Sequence, residues 1–273
     1  MFDLKLHPSE KAEYLEAARL TGYWLVNSQY TPERPWGQFH SVDSADQGRF
    51  LEKTCPSRDY HKPAGVWLTG IYLCGLCELV KSPVLDKQLY DNAIKLGAKY
   101  LKSLQCFDAR WTKAIGGFHE IYPGHEYSAP RDAATGAFAL LALYQRTGEK
   151  EYLDRAIAFG DWYASFGSDQ DGFPWDDYDL STGKGTSNKR GDWQAGGAIV
   201  YYQLWKITSD IKWKNAFKKV LDVLVTICTS SEPKTDTAYH FHGDCTISVG
   251  NDDFANHILM MGYKLFGDKK YLK

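Results

Sequence analysis

Nowhere does this sequence reach the ~18 uninterrupted apolar residues that a membrane span requires, so no membrane partner is expected. The opening "MFDLKLHPSEKAEY" has neither a basic n-region nor an apolar h-region, so no signal peptide is expected. Excess charge of one sign is missing too. Against 32 Lys and Arg stand 34 Asp and Glu, a net charge of −2, which excludes a global basic field for nucleic acid. Cysteine is sparse, with six at 55, 74, 77, 106, 228 and 245. "CGLC" (74–77) has a CxxC spacing but lies inside the apolar run "AGVWLTGIYLCGLCELV", without a second Cys or His pair at finger spacing. Buried free thiols are the expectation, with no metal and no cofactor. Reduced thiols point to the cytoplasm, although a secreted or periplasmic chain whose signal had been removed reads the same.

Aromatic residues, by contrast, are abundant. Nine Trp, 18 Tyr and 13 Phe are present, many in polar segments between apolar runs. Such rings suit stacking on a flat-faced ligand, sugar rings included, or they complete the edges of a core.

Apolar periodicity shows a repeat. One amphipathic pattern returns at 13–29, 89–105, 151–167 and 212–228, opened by Tyr14, Tyr90, Tyr152 and Trp213. Charges occupy much of the opposite face, as in a helix with one side in water. Between these lie 64–80, 133–148, 195–209 and 254–267, apolar nearly all round and rich in Gly and Ala. They read as helices buried on every side. Short turns ("RTGEKEY", "ITSDIKW") lead each buried helix into the next amphipathic one. The return connections are long, roughly 25 to 35 residues, a length usually tied to function. The closing "GDKKYLK" matches "GEKEYL" at 148–153 and reads as the start of a fifth outer helix, either a stub or the point where a longer protein was cut.

This alternation makes residues 1–273 one all-α domain of helical hairpins. It resembles the α/α toroid, the (α/α) barrel of six-hairpin glycosidases, several polysaccharide lyases and terpenoid cyclases. No signature of a specific family accompanies the pattern. Four hairpins plus the start of a fifth fall short of the usual six, which leaves the ring incomplete.

The resemblance implies that every inner helix runs the same way, so that inner N-termini and long loops gather at one rim. Asp59, Asp132, Asp192 and the Asp252–Asp253 pair each precede an inner helix, at intervals of 73, 60 and 60 residues. Taken singly, each is an ordinary N-cap. As a set they converge, and glycoside hydrolysis needs two carboxylates, one to protonate the leaving oxygen and one to activate water or attack carbon. Asp132 and Asp192 are the favoured pair.

Arg58, Arg131 and Arg190 lie within two residues of these aspartates. They either grip an acidic sugar such as a uronate or neutralise the neighbouring Asp. Trp36, Phe118, Trp175 and Trp193 are candidate stacking platforms, and His61 joins the substrate-binding set. "HEIYPGHEY" supplies His119, Tyr122, His125 and Tyr127; His125 and Tyr127 are candidate acid and base groups for a lyase. His240 and His242 share one side of a short extended segment, but two ligands without a third do not make a metal site, and they too join the substrate-binding set.

The expectation is a carbohydrate-active enzyme cleaving a glycan or oligosaccharide, acidic in character, by carboxylate general acid/base hydrolysis. A polysaccharide lyase is the runner-up and a non-catalytic helical scaffold the third reading. Terpenoid cyclisation fits poorly, since "WDDYD" and "NDDF" match neither of its acidic motifs.

Overall fold

Each apolar period in the sequence becomes a helix. The computed structural model describes residues 8–31, 47–55, 60–81, 87–185, 192–229, 241–242, 246–247 and 249–272. Outer helices are α1 (Pro8–Ser28), α3 (Lys87–Leu104), α5 (Lys150–Ser165) and α7 (Ile211–Thr229). Inner helices are α2 (Val66–Leu79), α4 (Pro130–Thr147), α6 (Ile199–Thr208) and α8 (Val249–Phe266). A 3-10 segment, Asp192–Ala198, leads into α6, and another, Lys269–Leu272, follows α8. That last segment is the expected fifth start. It docks on α7: the buried Tyr271 donates its hydroxyl hydrogen bond to Asp222 at 2.8 Å.

The turns that close the hairpins share one chemistry. α4 ends on Gly148 (φ 74°), whose N–H donates to the Tyr144 carbonyl; α6 ends on Ser209 (φ 58°), whose N–H donates to Trp205. α8 is followed by Gly267 (φ 69°), whose N–H donates to Tyr263. A left-handed residue here satisfies carbonyls that the helix end would otherwise leave unpaired. In the first two turns a threonine, Thr147 or Thr208, accepts from the N–H of the residue just before the next outer helix, Glu149 or Asp210, at 3.1 and 3.2 Å.

Outer helix α3 buries Tyr90, Ala93, Ile94, Gly97, Ala98, Tyr100, Leu101 and Leu104, the i, i+3, i+4 stripe that its sequence promised. Each large apolar side chain so buried contributes about 1.5–3 kcal/mol. α1 departs from the pattern: Leu20, Tyr23 and Trp24 are exposed on the face opposite Leu25 and Val26. The Trp24 ring still meets Tyr72 of α2 edge-on, with centroids 6.2 Å apart. Inner helices pack on one another in order, α2 on α4, α4 on the Asp192–Ala198 segment, and that segment on α8. The α2–α4 approach depends on Gly70, where a Cβ would sit 2.4 Å from the Thr135 backbone.

The long connections are not structureless. They fold into an antiparallel pair, β1 (Leu51–Cys55) with β2 (Tyr60–Pro63), and a second pair, β6 (Phe241–His242) with β7 (Thr246–Ile247). A three-stranded sheet joins β3 (Tyr127–Ser128), β4 (Tyr178–Asp179) and β5 (Lys184–Gly185), so the loops before α4 and α6 are held together. The thiols are as expected: Cys77 and Cys106 are buried and Cys74 half-buried, all free, and burial pushes Cys74 up to about 12 and Cys77 to about 11. Such thiols stay protonated and unreactive.

Candidate active site

Asp132 does not cap α4. The N-cap is Ala129, Pro130 holds the first helical position, and Asp132 lies in the first turn without a capping hydrogen bond from its side chain. Proline suits that position because its missing N–H has no helical partner in any case. Asp252 and Asp253 likewise lie inside α8 rather than before it, and Asp192 opens the 3-10 segment ahead of α6. The N-cap expectation therefore fails for Asp132, and the reason is Pro130, which starts the helix earlier than the apolar pattern does.

What surrounds Asp132 instead is a set of carboxylates. Its side chain is 22% exposed, and among the described residues its cation is Arg131, whose Nε donates to Oδ1 at 3.2 Å. Burial raises the Asp132 pKa above the usual carboxylate range. Arg131 opposes that shift, and Asp176 and Asp177 add to it. Glu120 is pushed up to about 8, first by burial and then by Asp132, against the Ala129 N–H and Arg131, which pull it down. Like charges this close in a poorly solvated place favour keeping a proton.

The small sheet completes the arrangement. Tyr127 pairs with Asp179 in the β3–β4 register, and its hydroxyl donates to Asp177 Oδ1 at 2.5 Å. Burial, and then that bond to an acceptor carboxylate, hold the Tyr127 phenol far above its ordinary range. Beside it opens a cleft of about 570 Å³ lined by Tyr122, Gly124, His125, Glu126, Tyr127 and Asp179. The His125 ring lies between those of Tyr122 (5.0 Å) and Tyr127 (5.9 Å), and its buried Nδ1 has no hydrogen-bond partner.

Other expected site residues take different roles. Phe118 is fully buried against Phe159 in the core and cannot stack on a ligand. His119 is buried beside Trp111, and its Nδ1 lies 2.6 Å from the His125 carbonyl oxygen; burial lowers its pKa. It braces the loop. Trp175 is half-buried with its ring against Gly185, where a Cβ would lie 2.2 Å from the indole, so it packs on β5. Tyr122, 50% exposed at the cleft, is the better aromatic platform. Trp36, Arg58, Asp59, Arg190 and His240 lie outside the described residues. His61, Asp192, Trp193 and His242 are placed by backbone alone, in β2, the 3-10 segment and β6.

Glu120, Asp176 and Asp177 were missed in the sequence, although "HEIY" and "WDDYD" display them. Nothing in their spacing relates them to Asp132, because the sheet that assembles them pairs strands some fifty positions apart. Among the described residues no group of three or more His, Cys, Asp or Glu side chains is arranged to hold a metal ion.

No protein-family model and no curated protein matches the chain. Solved structures do. The cellobiose 2-epimerase of Spirochaeta thermophila is 18% identical, with a TM-score of 0.65 over 97% of this chain and 67% of that one. A D-mannose isomerase is 13% identical, with a TM-score of 0.67 over 96% and 67%. A GH76 α-mannanase of Bacteroides thetaiotaomicron is 18% identical, with a TM-score of 0.55 over 81% and 56%. The chain thus spans between 56% and 67% of the length of these structures. What they share with it is the arrangement of outer and inner helices described above, and the chain has the fold of the α/α toroid.

Proposed function

We propose that this chain carries the catalytic rim of a carbohydrate-active enzyme that hydrolyses a glycan or oligosaccharide. The observation that carries this reading is the clustering of Asp132, Glu120, Asp176 and Asp177 at the mouth of α4, with two of them raised in pKa by burial. Carboxylates whose proton affinities differ are what glycoside hydrolysis uses, one protonated to donate and one ionised to attack or to activate water. Structures of the same fold include a GH76 α-mannanase, an epimerase and an isomerase, which is consistent with a sugar substrate.

The lyase reading is weaker. Tyr127 donates a hydrogen bond to Asp177 and is held protonated by burial, which is the opposite of what a tyrosinate base requires. A neutral sugar suits the described rim better than a uronate, because Arg131 is engaged with Asp132. The uronate expectation rests on Arg58 and Arg190, outside the described residues. The test is a panel of neutral and uronate-containing oligosaccharides with wild type, Asp132→Asn and Asp192→Asn. New reducing ends, lost in folded Asp132→Asn, support hydrolysis at this rim. A new ultraviolet band from an unsaturated uronide would transfer the assignment to a lyase.

A further inference from the structure

Glu120 occupies an unusual position in the fold. Its backbone N–H donates to the Tyr127 carbonyl at 3.0 Å, and its carbonyl accepts from Val66 N–H, the first residue of α2, at 2.8 Å. Its side chain turns to the neighbouring inner helix, where Oε2 accepts from Ala129 N–H, the N-cap of α4, at 3.2 Å. One residue therefore ties the N-termini of two adjacent inner helices to the sheet strand that bears Tyr127.

The loop on either side is fixed as firmly. The buried Arg49 donates to the carbonyls of Ala64 (3.0 Å) and Ile121 (2.6 Å), and the Tyr100 hydroxyl donates to the same Ile121 carbonyl at 3.3 Å. Such double anchoring exceeds what a surface loop needs, and it fixes one carboxylate oxygen. Among the described residues nothing donates to the other oxygen, Oε1, and it is not sealed in the interior. A carboxyl held by one oxygen, with the other free, presents its proton in a single direction.

Resting on the hydrolytic reading above, we infer that Glu120 is the general acid of this site and Asp132 its ionised counterpart. Glu120 transfers its carboxyl proton from Oε1 to the glycosidic oxygen as the bond from that oxygen to the anomeric carbon breaks. The bonding pair leaves with the oxygen, which departs as an alcohol. The Asp132 carboxylate either attacks the anomeric carbon or takes a proton from the water that does. If Asp132 has attacked, water then displaces it from the anomeric carbon and gives its proton back to the Glu120 carboxylate. If Asp132 has taken water's proton, that water becomes the product hydroxyl and proton exchange with solvent resets both carboxyls. The Arg131 contact keeps the charge on Asp132, and the raised proton affinity of Glu120 agrees with the division of roles.

Glu120→Gln tests this, since the glutamine oxygen still accepts from Ala129 N–H and the backbone ties are untouched. Glycosides with a sugar or alkyl leaving group should be cleaved about 100- to 10,000-fold more slowly, the usual worth of a general acid. Dinitrophenyl glycosides, whose leaving group needs no proton, should be cleaved within a few-fold of wild type. The wild-type rate should fall as pH rises through about 8, and this limb should vanish in the variant. Equal loss on both substrate types, or a variant with wild-type rates and an unchanged pH profile, overturns the assignment while leaving the hydrolytic reading intact. Wild type inert on every glycoside overturns both. A measurement independent of turnover and of the variant's folding is ¹³C titration of the Glu120 side-chain carboxyl in the wild type. A midpoint near 8 supports the assignment, and one in the ordinary glutamate range overturns it.

Discussion

Carboxylates on the outer belt of this molecule and carboxylates at the mouth of α4 live under opposite rules. On the belt several are met by cations. Glu151 of α5 accepts from Lys102 of α3 at 3.0 Å and from Arg155 at 2.9 Å, and these bonds lower its pKa. Asp108 is gripped by Arg110 and brought down to about 2. Asp222 is partly buried, which alone would raise it, yet Lys218, Lys270 and Tyr271 hold it below the ordinary range. Among the described residues at the mouth of α4, one arginine serves several acids, and Glu120 and Asp132 are raised. Where cations match or outnumber the acids, the carboxylates stay ionised and brace the surface. Where acids outnumber the described cations inside a poorly solvated rim, one of them holds a proton available for chemistry.

The largest expected effect of breaking this contrast falls on Asp132. Asp132→Asn removes the charge while keeping the shape, and hydrolysis should drop by about 100- to 10,000-fold. Unfolding in urea should show no large loss of stability, because the substitution also removes a carboxylate from a crowded place. Wild-type turnover in the folded variant would take Asp132 out of the mechanism.

Next is Tyr127→Phe. It leaves Asp177 without its 2.5 Å donor, and stranding a half-buried acceptor costs about 1–3 kcal/mol. The midpoint of chemical denaturation reads that loss. A change below a few tenths would mean that water replaces the phenol.

Glu120→Gln acts with the opposite sign, and only above the ordinary glutamate range. Glu120 binds its proton more tightly when folded than when unfolded, so it contributes stability in acid that is lost as pH rises towards about 8. Glutamine abolishes that loss. The variant should therefore gain on wild type progressively from the ordinary glutamate range up to about pH 8. Parallel stability curves for the two proteins across this range would show that Glu120 is not raised.

The helices were legible because burial imposes a period. The stripe of α3 and the all-round apolar α4 follow from the positions of Leu, Ala and Gly, and the turns at Gly148 and Gly267 follow from glycine's tolerance of positive φ. The rim was legible as a place, since long aromatic loops feed the inner helices. Its membership was only partly so. Asp132 was named, but Glu120 and Asp177 reach it through strands of two residues each, too short to leave an alternating pattern. The stacking role of Phe118 was misjudged for a related reason. An aromatic on a loop reads as exposed until a neighbouring strand or helix covers it, and sequence does not show the cover.

Glu151→Gln, the control from the other side of the comparison, should do least. It breaks the Lys102 and Arg155 contacts, but its own side chain is 47% exposed, and pairs in such solvent contribute about 0–1 kcal/mol. Salt at high concentration should erase most of the difference from wild type, since screening already weakens the native pairs. The glycosidase rate and its alkaline limb should stay unchanged, because α5's charged face lies on the outer belt and not at the mouth of α4. A shift of the pH–rate profile in Glu151→Gln would mean that the belt charges reach Glu120 through the protein, and the division into two electrostatic regimes would have to be given up.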